Sequence, residues 1–196
     1  MAPKRGPLPP ADFARRDLPI EVLPVGTTFV RIHRRTLDAL YFGTSRDNRF
    51  DDPDGSYGVC YAARTLRGAF AETCLRDVGA SFVPLSRLAA RSATELHVTG
   101  ELRLVELYGR GLARLGATAA VTSGTYDVSQ PWSRAVYTHP MQVDGIVYRS
   151  DHDNDELCVA LFDRCRDRVS EGDRRELLAD RAALARLVDV YKVGLA

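Results

Sequence analysis

The stretch Arg49–Asp77, RFDDPDGSYGVCYAARTLRGAFAETCLRD, decides how this chain is read. Its front, Asp51-Asp52-Pro53-Asp54-Gly55, is turn chemistry. Tyr57 to Ala63 then reads as a short strand, and Thr65 to about Val78 as a helix. Leu66, Ala69, Phe70 and Thr73 fall at the i, i+3, i+4, i+7 spacing of a buried stripe. Thr65 suits an N-cap and Gly79 a C′ position. Glu72 flanks the stripe beside Ala69, where a side chain reaches a cleft edge.

Upstream, residues 1–25 hold six of the ten prolines and little periodicity. They read as a proline-rich N-terminal extension, partly extended, with one folded domain over 26–196. Thr27 to His33 is rich in β-branched residues and predicts a strand. Residues 40–55 predict a long loop, broken by the aromatic pair Tyr41-Phe42 and by Arg49-Phe50. Long loops inside compact domains often carry function.

Downstream, a helical piece is expected near 85–90, then strands over Glu95–Val98 and Leu102–Leu107 and a helical turn over 110–115. A small polar loop (122–126) leads to a second helix around Gln130–Tyr137, with Pro131 in its first turn. Strands follow at Ile146–Ser150 and Leu157–Phe162, an amphipathic helix at about 174–187, and a last edge strand at 190–195. Short strands and helices mix without regular βαβ alternation, so an α+β fold is expected over a doubly wound sheet.

The 27 basic and 26 acidic side chains give a net charge of +1, which argues against wholesale nucleic-acid or membrane binding by a charged surface. A local basic cleft for a small anion remains compatible with that balance. Cys60, Cys74, Cys158 and Cys165 form no CxxC pair and point to buried thiols in a reducing compartment. The N-terminus has no apolar signal core, and no apolar run reaches membrane-spanning length, so a cytoplasmic protein is expected.

Gly109-x-Gly111 with Gly116 has neither the spacing nor the context of a dinucleotide fingerprint. Asp151-x-Asp153-x-Asp155 opens like a calcium loop, but Glu156 and Phe162 occupy the positions that need glycine and glutamate. An acidic hairpin turn is the expectation there. His139, His152 and Cys158 lack a zinc spacing, and no metal is expected. Arg31, Tyr61, Glu72 and Ser133 are, one by one, compatible with an edge arginine, a core tyrosine, a solvated helix glutamate and a first-turn serine.

Their order carries more. Arg31 in FVRIHR, Arg49-Phe50, Tyr57–Ala63, Ala71-Glu72, Trp132-Ser133, and Asp144–Tyr148 through Cys158–Phe162 together resemble the RES domain, over roughly residues 26–195. That family is named for an arginine, a glutamate and a serine. The resemblance implies a fold like the ADP-ribosyltransferase toxins, with split β-structure around an NAD cleft. It implies a toxin of a type II toxin–antitoxin pair that degrades NAD+, in a hetero-oligomer with an antitoxin carrying an Xre-like helix-turn-helix. Arg31, Glu72 and Ser133 match the naming residues; Arg49 and Tyr61 match further cleft positions. The loop before Arg49 (TSRDN) has fewer glycines than other members carry.

Breaking the nicotinamide–ribose bond builds oxocarbenium character on the ribose, which a nearby carboxylate stabilises; Glu72 takes that role. Arg31 and Arg49 suit the pyrophosphate, which guanidinium forks bind in a bidentate way. Tyr61 is expected to stack on nicotinamide or bond a ribose hydroxyl, and Ser133 to bond the nicotinamide riboside or hold Glu72. NAD+ is then substrate, with no cofactor and with inorganic phosphate or water as acceptor. Two other functions stay open: a protein ADP-ribosyltransferase using the same cleft, and a binding module with a vestigial one.

Overall fold

The β-branched and aromatic runs assemble into one mixed eight-stranded sheet in the computed structural model, which describes residues 6–75 and 81–196. In chain order the strands are β1 (Ile20–Leu23), β2 (Thr28–Arg34), β3 (Val59–Ala63), β4 (Phe82–Val83), β5 (Arg91–Val98), β6 (Leu102–Leu107), β7 (Gly145–Arg149), β8 (Leu157–Phe162), β9 (Val169–Glu176) and β10 (Gly194–Leu195). The helices are α1 (Leu66–Cys74), α2 (Leu85–Ala89), α3 (Gly109–Leu115), α4 (Ala120–Ser123), α5 (Tyr126–Tyr137) and α6 (Arg181–Tyr191). The sheet order is β1-β6-β7-β8-β3-β2-β5-β9, with β4 and β10 forming a separate parallel pair. This is the α+β architecture expected.

Among the described residues only β6 and β7 pair in parallel within the large sheet. Their connection holds α3, α4 and α5, since a parallel pair needs a long crossover. Thr99–Glu101 join β5 to β6, yet four strands stand between those two in the sheet. Such a short link forces the sheet to curl back on itself. Phe29, Cys60, Leu96, Leu104, Val147 and Val159 form a core on one face of this curl. On the other face a larger core, including Phe70, Trp132, Ile146 and Leu184, packs α1, α5 and α6 onto the sheet.

Several expectations are corrected. The helix expected over 174–187 is divided: Arg174–Glu176 continue β9 along β5, and the helix begins only after Asp180, whose carboxylate caps Ala183 N–H at 2.9 Å. Charged residues suit that exposed sheet edge, and their spacing imitates a helix face. Helix α5 starts one turn earlier than expected, at Tyr126, so Pro131 lies inside it. The last strand is Gly194–Leu195, paired with β4 and not with the large sheet. Residues 122–123 belong to α4. The expected end of α1, with Gly79, falls outside the described residues.

Residues 1–25 were expected as an extension; from Gly6 onward the chain is built onto the domain. β1 pairs with β6 through Ile20↔Val105 to Leu23↔Leu102. Phe13 and Leu18 are core residues, and Trp132 Nε1 donates to Pro7 O at 2.7 Å. Proline-rich sequence gives no strand periodicity, and these contacts are all to distant parts of the chain.

Candidate active site

Strands β2 and β3 are neighbours through a single residue pair, Val30↔Ala63. Elsewhere they part, and a cleft opens where they do. Its inner lobe, about 290 Å³, is lined by residues that include Arg31, Arg34, Tyr61, Ala69, Glu72 and Arg91. An outer lobe of about 260 Å³ is lined by Arg49, Tyr126, Asp151 and His152 among others. Asn48, Tyr61, Glu72 and Tyr148 border both, so the two lobes are one cleft with Glu72 at their junction.

Helix α1 delivers Glu72. Thr65 caps it, accepting Gly68 N–H at 3.0 Å, and its hydroxyl donates to the buried Glu156 carboxylate at 2.5 Å. Arg67 Nε donates to the other Glu156 oxygen at 2.5 Å, so the buried charge is paired. A Cβ at Gly68 would meet Ala63 Cβ at 3.1 Å, which is why glycine lets the helix lie so close to β3. Ala69, Glu72 and Thr73, at i, i+3 and i+4, then face the cleft. Glu72 Oε1 accepts from Ser150 Oγ at 2.6 Å, and Oε2 lies 3.5 Å from the Tyr148 hydroxyl.

The loop 44–56 forms the opposite wall and is fastened by two buried aspartates. Asp51 Oδ1 accepts from the Tyr61 hydroxyl at 2.9 Å, while its Oδ2 accepts from Asn48 N–H and Nδ2 at 3.1 and 3.0 Å. Phe50 N–H donates to the same Tyr61 hydroxyl at 2.9 Å. That hydroxyl is thus used as donor and acceptor, and the ring of Tyr61 is what borders the cleft. Burial, then the Asp51 charge, push its pKa well above the usual phenol range. Asp52 accepts from Ser56 N–H and Oγ and from Arg134 Nε at 2.8 Å. Burial opposes its ionisation, but these bonds outweigh it and hold the carboxyl below its usual range.

Of the five residues singled out from sequence, four border the cleft. Arg31 Nη1 donates to Ala39 O and Tyr41 O at 2.9 and 2.8 Å, tying the 39–41 segment to β2. By strand alternation Arg31 shares the sheet face of Phe29, opposite that of Val30. Arg49 Nη1 donates to Gly124 O at 2.6 Å, its Nη2 pairs with Asp151 at 3.2 Å, and it lies over the Tyr126 ring at 5.5 Å. Ser133 is set apart. It is fully buried under the loop, where its Oγ donates to Phe50 O at 2.6 Å and meets Tyr57 OH at 2.8 Å.

Sequence reasoning missed Ser150, Tyr148, Asn48 and His152. Ser150 lies at the end of a run read only as a strand, and His152 was weighed only as a zinc ligand. The acidic turn is as expected: Asp153 O accepts Glu156 N–H at 3.0 Å, and Asp153 Oδ2 accepts the Tyr191 hydroxyl at 2.7 Å. All four thiols are free and buried. Burial pushes Cys74 up to about 11 and Cys165 up to about 12, so these thiols are poor nucleophiles.

A curled mixed sheet parted at one strand pair, with a helix carboxylate at the parting, marks the class. The RES domain model matches residues 28–180, and the chain belongs to the RES-domain family. One curated relative is the "Probable toxin y4kH" of Sinorhizobium fredii (strain NBRC 101917 / NGR234), 27% identical over 125 residues, which are 63% of this chain and 98% of that protein. The fold is also that of a chain in the crystal structure of the M. tuberculosis MbcT–MbcA toxin–antitoxin complex. That likeness has a TM-score of 0.67 at 15% identity and covers 85% of this chain and 91% of the other.

Proposed function

We propose that this chain is the toxin of a toxin–antitoxin pair and acts by cleaving the nicotinamide–ribose bond of NAD+. The observation that carries this reading is the Glu72 carboxylate, fixed by Ser150 at the junction of the two cleft lobes. The C–N bond breaks with its electron pair leaving on neutral nicotinamide. Glu72 stabilises the positive charge that develops on the ribose. An oxygen of water or inorganic phosphate forms the new bond to that carbon; the proton of the attacking water, or of the phosphate, passes to solvent.

Arg49 binds the pyrophosphate, Arg31 holds the 39–41 segment beside the cleft through Ala39 O and Tyr41 O, and the Tyr61 ring stacks on nicotinamide, since its hydroxyl is already committed to Asp51 and Phe50. Ser133 acts at one remove, holding Phe50 and with it the cleft wall. The substrate places the activity in the cytoplasm; among the described residues no helix is long and apolar enough to cross a membrane. An Xre-like helix-turn-helix antitoxin is the partner, since an NAD+-cleaving cleft has to be held shut in its own cell. That one relative is a probable toxin and that the other belongs to a toxin–antitoxin complex supports that pairing.

The test is nicotinamide release from NAD+ by the purified chain, with and without phosphate, beside Glu72→Gln. Release that needs Glu72 is expected, and a phosphate requirement would name phosphorolysis. Turnover by Glu72→Gln at the unaltered rate would remove Glu72 from the chemistry. Transfer of tagged ADP-ribose onto protein would move the reading to a transferase.

A further inference from the structure

The loop before Arg49, Thr44-Ser45-Arg46-Asp47-Asn48, turns without a glycine. Arg46 adopts a φ of 69°, a left-handed conformation that glycine takes freely and other residues hold only under constraint. Gln130 of α5 supplies the constraint: its Nε2 donates to Arg46 O at 2.9 Å and to Asn48 O at 3.2 Å. Asp51 holds the loop as well, accepting from Ser45 Oγ at 3.2 Å and from the Asn48 backbone and side chain. Asn48 is thus fixed at the cleft, where it borders both lobes together with Tyr61 and Glu72.

Asp51 also decides which way the Asn48 carboxamide points. Nδ2 donates to Asp51 Oδ2 at 3.0 Å, and a carboxylate only accepts, so the amide oxygen is the atom turned away from it. Asn48 is half-buried, and among the described residues no donor meets its Oδ1. The other Asp51 oxygen accepts the Tyr61 hydroxyl at 2.9 Å. One buried carboxylate therefore sets two things at the same place in the cleft, an aromatic ring and an amide oxygen whose lone pairs are unused. Nicotinamide is the complement of that pair, a flat ring with a carboxamide on its edge.

We propose that Asn48 recognises the nicotinamide carboxamide, its Oδ1 accepting an amide N–H while the nicotinamide ring lies on Tyr61. The proposal rests on the NAD+-cleaving reading, which puts nicotinamide against Tyr61 beside Glu72. Its consequence is selectivity among dinucleotides. A nicotinate-bearing dinucleotide has no N–H to give, and its carboxylate would face the Asn48 oxygen with the buried Asp51 carboxylate behind it. A 3-acetylpyridine dinucleotide keeps the carbonyl and adds no charge, but it too lacks the N–H, so it separates the hydrogen bond from the repulsion. A site that hydrogen-bonds a substrate N–H rejects analogues without one, because its own polar atom is left unpaired.

The experiment measures the affinities of the three dinucleotides and of ADP-ribose by calorimetric titration of the Glu72→Gln chain, which is expected not to turn them over. NAD+ should bind about tenfold more tightly than the acetylpyridine dinucleotide and about a hundredfold more tightly than the nicotinate one. Adding Asn48→Ala should bring the first ratio below about twofold and leave ADP-ribose, which has no nicotinamide, bound as before. Equal affinities for NAD+ and the acetylpyridine dinucleotide before that change, or a ratio that survives it, overturn the role of Asn48. So does a parallel loss for NAD+ and ADP-ribose, which reduces Asn48 to a support of the loop. If Glu72→Gln still cleaves, the same ratios are read as kcat/KM. Nicotinamide release from NAD+ by the parent chain is scored separately. Release without amide selectivity removes recognition by Asn48 and leaves the cleavage reading standing; amide-selective binding without release does the reverse. Binding of none of the dinucleotides overturns both.

Discussion

Ser150 Oγ donates to Glu72 Oε1 at 2.6 Å while accepting the backbone N–H groups of His152 and Asp153 at 3.1 and 3.2 Å. A hydroxyl has one proton and two lone pairs, and both lone pairs are taken up by the turn. The proton therefore has one direction left, toward the carboxylate. The turn after β7 orients Ser150, and Ser150 orients Glu72.

Ser150→Ala removes that orientation without touching the carboxylate. Nicotinamide release is expected to lose about 10- to 100-fold in kcat with KM little changed, the scale of a misplaced catalytic group. Melting should fall by about 2–4 °C, because the turn loses its acceptor. Full kcat in a folded variant would mean Glu72 is held by other contacts.

Ser133→Ala acts elsewhere. It leaves Phe50 O and Tyr57 OH without their buried partner, at about 1–3 kcal/mol in denaturant unfolding. The loop wall loosens, so KM for NAD+ should rise more than kcat falls. A thousandfold loss of kcat with stability intact would instead put Ser133 at the reacting atoms.

Asp52 makes the same wall sensitive to acid. Its folded pKa lies below the unfolded value, so its contribution is complete above the unfolded pKa of about 3.9 and is lost as pH falls through the lower folded value. Thermal melts from pH 7 downward should show a steep loss in that acid window, flattened in Asp52→Asn. Parallel profiles for the two proteins would assign the acid sensitivity to other carboxylates.

Phe13→Ala asks if the N-terminal segment belongs to the domain. Phe13 packs edge-on to Trp132 at 5.3 Å and to His139 at 5.6 Å and is buried. Its removal should destabilise the whole domain by about 3–5 kcal/mol in a single unfolding transition. A change under about 0.5 kcal/mol, the scale of surface substitutions, would return the segment to an appendage.

What could be read along the chain was what neighbouring residues decide among themselves. A β-branched run gave β2 and an apolar run β8, the i, i+3, i+4 stripe and Thr65 gave α1, and Glu72 on the flank of that stripe does face a cleft. The order of the RES motifs was legible for the same reason, being a property of the sequence alone. The misreadings came where local signals conflicted with distant partners. The charged run 174–176 was read into a helix but is held as strand by β5, and the proline-rich start has no period but finds an edge at β6.

The tertiary structure alone decided which serine meets Glu72. Ser150 lies 78 residues from it in the chain, and Ser133 spends its hydroxyl on Phe50, 83 residues away. It also decided that Arg34 and Arg91 stand side by side at the end of the cleft. No short window holds such information. Period, capping and turn chemistry act over a few residues, whereas the cleft is made where a curled sheet parts and brings remote side chains within hydrogen-bonding distance.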